Sequence, residues 1–285
     1  MSSTAGSTTQ SARPVRRVAV VSHGRVEAVA NAIGRLQRVA AAAAVELVFG
    51  EEEAAKHGVA AAAAPDDADL AVVLGGDGTM LRALHRFLGT GVPVIGVNYG
   101  RVGFLASMRP EELEDGLARA FRGELDTVDL ATLEVTVGGV AHTAVNDVVV
   151  ASAAPGRMVE LSWALAGEPL GTQPCDGLIC ATPTGSTAYN LSNGGPVLVW
   201  GLDAMAVSFV APHSLTARPL VVPRSRPLSV LNATRDVATT VIVDGHAVAT
   251  LEPGGEVAVG LGPERALIAS VPGVTFFRRY RDAFG

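Results

Sequence analysis

Lysine is almost missing from this 285-residue chain: Lys56 is the only one, and the rest of its 22 basic residues are arginines. A phosphate loop of the G-x-x-x-x-G-K-[ST] kind depends on its lysine, so any nucleotide site here follows another design. Cysteine is equally scarce. Cys175 and Cys180 stand alone, at a spacing that does not suit the usual zinc pairs. In an extended segment their odd separation sends the two side chains to opposite faces, which excludes a bridge between them. They read as structural thiols of a reducing compartment, so a cytoplasmic location is expected. No apolar run reaches the roughly 18 residues of a membrane span, and none near the first residue forms a signal-peptide core. No membrane partner is expected. Basic runs are lacking too, and a formal charge of −6 argues against a nucleic-acid surface.

What is present is a soluble, globular composition, 48% apolar and 18% charged, long enough for one large domain or two ordinary ones. The chain is organised around Leu74-Gly75-Gly76-Asp77-Gly78-Thr79-Met80-Leu81. An apolar run from Ala68 to Leu74 suits a strand covered on both faces, and a helical pattern follows directly. Three glycines and a carboxylate therefore occupy a tight strand-to-helix turn. Glycines there permit positive φ and close approach of a ligand to the backbone. N–H groups at Gly78, Thr79 and Met80 are expected to face an anion, with Gly76 and Thr79 as further phosphate contacts. Asp77 repels a phosphate, so its presence points to chemistry: accepting a proton from an attacking hydroxyl, or holding magnesium. The plainer alternative is a glycine turn with a local side-chain hydrogen bond.

Before and after this turn, strands alternate with helices: strand 17–21, helix 26–44, strand 45–49, a weak helix 51–64, strand 68–74, a helix to about Leu88, strand 92–97 and helix 110–122. That alternation predicts right-handed crossovers and a parallel, Rossmann-like sheet over residues 17–124, behind a disordered tail at 1–16. Ligands of such sheets bind beyond the carboxyl ends of the strands. Arg25 and Arg101, in turns after strands, are candidate phosphate contacts; His23, His213 and His246 are candidate ligands or bases. From 125 to 261 short β-rich runs with turn punctuation predict an antiparallel β domain: 133–137, 140–144 after Gly138-Gly139, 147–151, 159–165, 204–210, 237–243 and 256–260. The aromatic, Arg-rich end of the chain, within 262–285, is expected to return to the first domain.

A second cluster interrupts the β pattern between Cys175 and Pro196. A strand runs into Thr182-Pro183-Thr184-Gly185, and a short helix begins near Ser186 and ends at Gly194-Gly195. Small hydroxyl residues at a helix start are ordinary caps. This run holds more of them than one cap requires, together with Tyr189, and small polar groups beside one aromatic face suit a ribose or a nucleobase.

Together these stretches resemble the NAD kinase family. Asn146-Asp147 is similar to the family's Asn-Glu or Asn-Asp pair, Asp176 through Pro196 to its long glycine-rich motif, and Asn98 to Leu105 to the segment after its fourth strand. Pro212-His213-Ser214-Leu215, Arg218-Pro219 and Val243-Asp244-Gly245-His246 also resemble family blocks, so the likeness spans about residues 17–285. It implies phosphorylation of NAD at the 2′-hydroxyl of its adenosine ribose, using ATP or polyphosphate with Mg²⁺ or another divalent cation, in a homodimer or homotetramer. By position, Asp77 is implied as the general base, Gly78 beside the diphosphate and Phe104 against the adenine. Asn146 and Asp147 are implied at ribose hydroxyls, Asp176 on the nicotinamide side, and Ser186, Thr187, Ala188, Tyr189 and Ser192 in the nucleoside pocket. Asp244 and His246 are implied near the phosphoryl donor or a neighbouring subunit. The alternatives are a lipid or sugar kinase with the same Gly-Gly-Asp-Gly turn and a non-catalytic dinucleotide sensor.

Overall fold

The structure is a computed structural model that describes residues 9–11 (backbone only), 13–24, 29–62, 64, 66–100 and 103–285. These fall into two compact units. One holds the residues up to Asp129 together with Ala266–Gly285, and the other is Leu130–Arg265. In chain order the first unit carries β1 (Thr9–Ser11), β2 (Arg17–Ser22), α1 (Ala30–Ala42), β3 (Glu46–Phe49), α2 (Glu51–His57), β4 (Leu70–Gly75), α3 (Asp77–Arg86), β5 (Val94–Asn98) and α4 (Leu113–Phe121). β6 (Leu125–Val137) leads on to β7 (Val140–Ala144), β8 (Asp147–Ser152), β9 (Val159–Leu165), β10 (Glu168–Cys175) and β11 (Gly177–Ala181). Then come α5 (Tyr189–Ser192), β12 (Ala204–Val210), β13 (Leu220–Pro223), β14 (Leu228–Asn232), β15 (Thr239–Val243), β16 (His246–Leu251), β17 (Glu256–Ser270) and α6 (Phe276–Phe284).

The expected parallel sheet is present in the first unit. β2 lies between β3 and β4, β4 pairs with β5, and the end of β17 joins β5 at Ile268 and Val94, every pairing parallel. All six residues of β4 are buried, as its unbroken Val and Leu content requires. α1 covers the sheet with Ala32, Ile33, Leu36 and Ala40, spaced to share one face. α2 is shorter than its alanine content predicts. It stops where Gly58 turns left-handed at φ 64°, a C-cap that a chain of alanines does not announce. Its buried Glu53 is matched by Lys56 at 3.0 Å, Arg82 at 3.3 Å and the Ser22 hydroxyl at 2.5 Å, which ties α2 to the ends of β2 and α3. Thr9–Ser11 pairs antiparallel with residues 125–127, where composition predicts a structureless tail; backbone pairing needs no apolar side chains.

The second unit is antiparallel, as expected. One sheet runs β13-β12-β11-β8-β15-β16, and β10, β9, β14 and the start of β17 form another. Val148, Val150, Leu178 and Cys180 from the first share a core with Leu161, Val230 and Val257 from the second. Gly138 and Gly139, at φ 59° and 81°, close the predicted β6–β7 hairpin. The two cysteines correct the opposite-faces expectation. The chain turns at Asp176, so Cys175 ends β10 while Cys180 lies in β11, and both face the same core as buried free thiols. Burial pushes the Cys175 thiol up to about 12 and raises Cys180 as well. Among the described residues no helix is long and apolar enough to cross a membrane.

Leu36, on the inner face of α1, is fully buried. Leu36→Ala is expected to cost about 2–5 kcal/mol, read as a lower urea midpoint with an unchanged slope.

Candidate functional site

β4 delivers Asp77 to the first turn of α3, at the carboxyl end of the parallel sheet. The glycines before it are not there for positive φ. Gly76 has φ −95°, and Gly75 and Gly78 are also outside the left-handed region. They are there for space: a Cβ on Gly75 would meet the Thr79 side chain, and one on Gly100 would come 3.0 Å from the Gly76 Cα. The backbone after β5 can thus pass directly over the turn. The N–H groups of Thr79 and Met80 both close on the Gly76 carbonyl, at 2.9 and 3.0 Å, so this helix start presents fewer outward donors than its sequence suggests. Gly78 is exposed and has open space where a side chain would stand.

Asp77 itself accepts hydrogen bonds from the N–H groups of Phe104, at 2.7 Å, and Leu105, at 3.0 Å. A Cβ on Gly103 would sit 2.8 Å from its Oδ1, so this glycine is what lets the loop approach. The partly exposed carboxylate is therefore fixed from one side by backbone donors. Phe104 turns its backbone to Asp77 and buries its ring, 7% exposed, against Phe276 and Phe284 of α6 at 5.4 and 6.1 Å. Contact between an adenine and that ring requires α6 to give way. Arg279, also on α6, donates to the carbonyls of Phe104, Leu105 and Ala106. Arg279 carries no signal in the sequence, and Gly103 is marked there only as part of the 98–105 stretch. Arg279 is one of several arginines near the chain end, and only the three-dimensional path of the 103–106 loop distinguishes it.

In the second unit three separated motifs meet. Asp244, at φ 46°, turns its carboxylate onto the N–H groups of Val145 (2.7 Å), Asn146 (2.8 Å) and Asp147 (2.8 Å). An acidic side chain bridging three successive amides is a strong, charge-assisted clamp. Thr182 donates its N–H to the Asn146 carbonyl and its hydroxyl to that of Val145, while Gly185 presses so closely on Asn146 that a Cβ there would strike its backbone. The pairing of 146–147 with 182–187 is thus built into the fold. Asn146 Oδ1 and Thr184 Oγ1 are buried with no hydrogen-bond partner among the described residues, two polar atoms left for something else to satisfy.

Other expected contacts are placed differently. Ser186 is fully buried, donating to the Pro183 carbonyl and accepting from the Leu198 N–H, so it builds the turn and does not line an open pocket. Thr187 donates to the Thr184 carbonyl and is partly open, as is Ala188; Tyr189 and Ser192 are exposed. Asp176 is exposed but precedes β11, whereas Thr182 follows it, so the length of that five-residue strand, roughly 17 Å, separates them. His213 lies at the Asp176 end, its N–H on the Pro174 carbonyl. His246 is exposed with Nδ1 3.1 Å from the Asp244 carbonyl. His23 donates its N–H to Leu74 beside the glycine turn. Arg25 and Arg101 lie outside the described residues. No group of three or more His, Cys, Asp or Glu side chains is gathered among the described residues, so a divalent cation finds no all-protein cage there.

Family profiles describing the ATP-NAD kinase N-terminal domain and C-terminal domain match residues 8–125 and 145–271. A NAD kinase of Gemmatimonas aurantiaca is 38% identical over 223 residues, covering 76% of this chain and 77% of its own. One from Symbiobacterium thermophilum is 35% identical over 268 residues, covering 90% and 94%. Among solved structures, an NAD kinase from Archaeoglobus fulgidus in complex with ATP is similar with a TM-score of 0.74 at 27% identity, over 94% of this chain and 97% of that one. Yeast NADH kinase complexed with NADH shares the fold, with a TM-score of 0.84 at 21% identity over 95% and 87%.

Burial, with the Asp244 charge beside it, pushes the Asp147 carboxyl up to about 7. An unfolded Asp titrates near pH 4 (about 3.9). As pH rises from there to about 7, the unfolded chain releases this proton while the folded chain still holds it, so the group's contribution is full at low pH and is lost toward neutrality. Asp147→Asn removes that loss, worth at most about 4 kcal/mol. Melting temperatures should show the variant gaining on the parent protein between about pH 4 and about pH 7, with a constant difference above that; parallel pH profiles would contradict the assignment.

Proposed function

Because the chain belongs to the ATP-NAD kinase family, we propose that it transfers the terminal phosphoryl group of ATP to the 2′-hydroxyl of the adenosine ribose of NAD, making NADP. The observation that carries this is the Asp77 carboxylate, fixed by two backbone donors and still partly open to solvent beside the bare surface of Gly78. In that role Asp77 takes the proton of the 2′-hydroxyl as its oxygen forms the new bond to phosphorus and the bond to the leaving diphosphate breaks. Phosphoryl transfer depends on positioning and charge neutralisation more than on covalent help, so the lack of a loop lysine is no obstacle. A divalent cation, magnesium first, supplies part of that neutralisation, and oxygen ligands from the donor's own phosphates suit it. Polyphosphate offers the same terminal group and is a second donor under this proposal.

Asn146, Asp147 and Thr184 are proposed to bond ribose hydroxyls, since Asn146 Oδ1 and Thr184 Oγ1 are buried acceptors without a partner among the described residues. Thr187, Ala188, Tyr189 and Ser192 form the accessible side of the nucleoside pocket, with Ser186 holding the turn behind them. Asp244 acts by shaping the Asn146-Asp147 turn, and His246 beside it is the nearer of the two to solvent for a phosphate contact. The separation of Asp176 from this cluster supports assembly into a homodimer or homotetramer, in which the nicotinamide contact at Asp176 comes from another copy. Buried, unpaired thiols fit a cytoplasmic location. A lipid or sugar kinase has no use for the Asn146 and Thr182–Ser192 arrangement, and a mere sensor would gain anion affinity by losing the Asp77 charge.

Purified protein incubated with NAD, ATP and magnesium is expected to form NADP; no product with active reagents would remove the proposal. Asp77→Asn should lower the turnover number by about 10²–10⁴, with the NAD dissociation constant changed only a few-fold. The Asn amide faces a backbone N–H at one of its two positions, so a stability loss of about 1 kcal/mol is expected too.

Tyr189 is 46% exposed, as a ring awaiting a flat partner should be. Tyr189→Ala should raise the Michaelis constant for NAD more than that for ATP, and equal effects on both would return Tyr189 to a general supporting role.

A further inference from the structure

The buried guanidinium of Arg279 has no need of its charge if α6 merely closes the first unit. Arg279 is the only buried residue of α6, and an apolar side chain of similar length would fill the same space without the cost of desolvating a cation. That cost is visible: burial brings the group down to about 10, while the charge of Asp77 acts in the opposite direction. One nitrogen of the guanidinium serves one short stretch of backbone. Its Nη1 is shared by the carbonyls of Phe104 (3.0 Å), Leu105 (2.8 Å) and Ala106 (3.0 Å).

The peptide between Phe104 and Leu105 shows why this matters. Its carbonyl accepts from Arg279 and its N–H donates to Asp77, so one rigid, dipolar plane connects cation to carboxylate. A positive charge on the carbonyl side polarises the plane and makes its N–H a better donor. The Phe104 ring, held by Phe276 and Phe284 of the same helix, stops the plane from rotating. We infer that Arg279 is a positioning residue for the phosphoryl-transfer reaction: acting through the 104–106 backbone, it sets the direction in which the Asp77 carboxylate faces its substrate. The inference rests on the proposed kinase activity and adds to it a residue with no need to touch either substrate.

A cavity of about 490 Å³ lies against this arrangement, lined by Gly103, Ala106, Ser107, Arg278, Arg279 and Ala283 among others, so it reaches the Arg279 side chain itself. The test uses the full chain. Arg279→Met, which keeps the length and apolar stem, should lower the turnover number by roughly 10- to 100-fold, the scale of a misplaced catalytic group. The Michaelis constant for NAD should change little. Amide hydrogen exchange at Phe104 and Leu105 should accelerate, a readout independent of activity. Arg279→Ala should regain part of its turnover in millimolar guanidinium chloride but not in equal sodium chloride, and the same addition should leave Asp77→Asn unchanged. If Arg279→Met fails to fold, the uncharged Arg279→Gln with the exchange measurement decides. Normal turnover and protected 104 and 105 amides in a folded Met or Gln variant would overturn the inference. An inactive parent protein would instead remove the kinase reading, with the exchange result still standing on its own.

Discussion

A carboxylate held by main-chain N–H groups is the interaction on which both halves of this protein depend. In the first unit Asp77 receives the amides of Phe104 and Leu105; in the second Asp244 receives those of Val145, Asn146 and Asp147. Such bonds are charge-assisted and directional, and they fix the loop as firmly as the side chain. Their consequences differ. Asp77 is left partly open, so the bonds hold a carboxylate that solvent still reaches. The Asp244 carboxylate is turned onto the backbone, so the clamp shapes the turn that presents Asn146.

Glycine supplies the second constraint. The turn before Asp77 and the Thr182–Ser186 turn are both places where two pieces of backbone lie closer than a Cβ allows: Gly76 against Gly100, and Gly185 against Asn146. Substituted glycines at these positions would meet main chain, which has no rotamer to retreat into. Close contact between distant segments, more than local flexibility, explains the glycines in each of these two turns.

Much of this was legible in the sequence, for identifiable reasons. β4 read correctly because six buried residues in a row leave one short, apolar, uncharged run. The Gly138-Gly139 hairpin read correctly because positive φ at both positions favours that pair. What escaped notice depends on partners far along the chain. β10 is mostly exposed and contains two prolines, β14 is short, and both are strands because β9 lies beside them. Arg279 looks like any surface arginine until the carbonyls of residues 104–106 are seen beneath it. Ser186 carries the opposite lesson, since a hydroxyl in a ligand-like motif turned out to be buried in the turn it supports.

The first unit is also discontinuous, begun by the residues up to Asp129 and finished by Ala266–Gly285, with the second unit inserted between them as one unbroken segment. During synthesis this fixes an order of events. The inserted segment emerges whole and has all its own strands in hand, whereas the parallel sheet waits for the end of β17 and the 104–106 loop waits for α6. A nascent or truncated chain that stops short of α6 therefore holds the Gly75-Gly76-Asp77-Gly78 turn without its completed surroundings. The support beneath the 104–106 loop, and through it the setting of Asp77, is thus made from a segment that lies about 170 residues further along the chain.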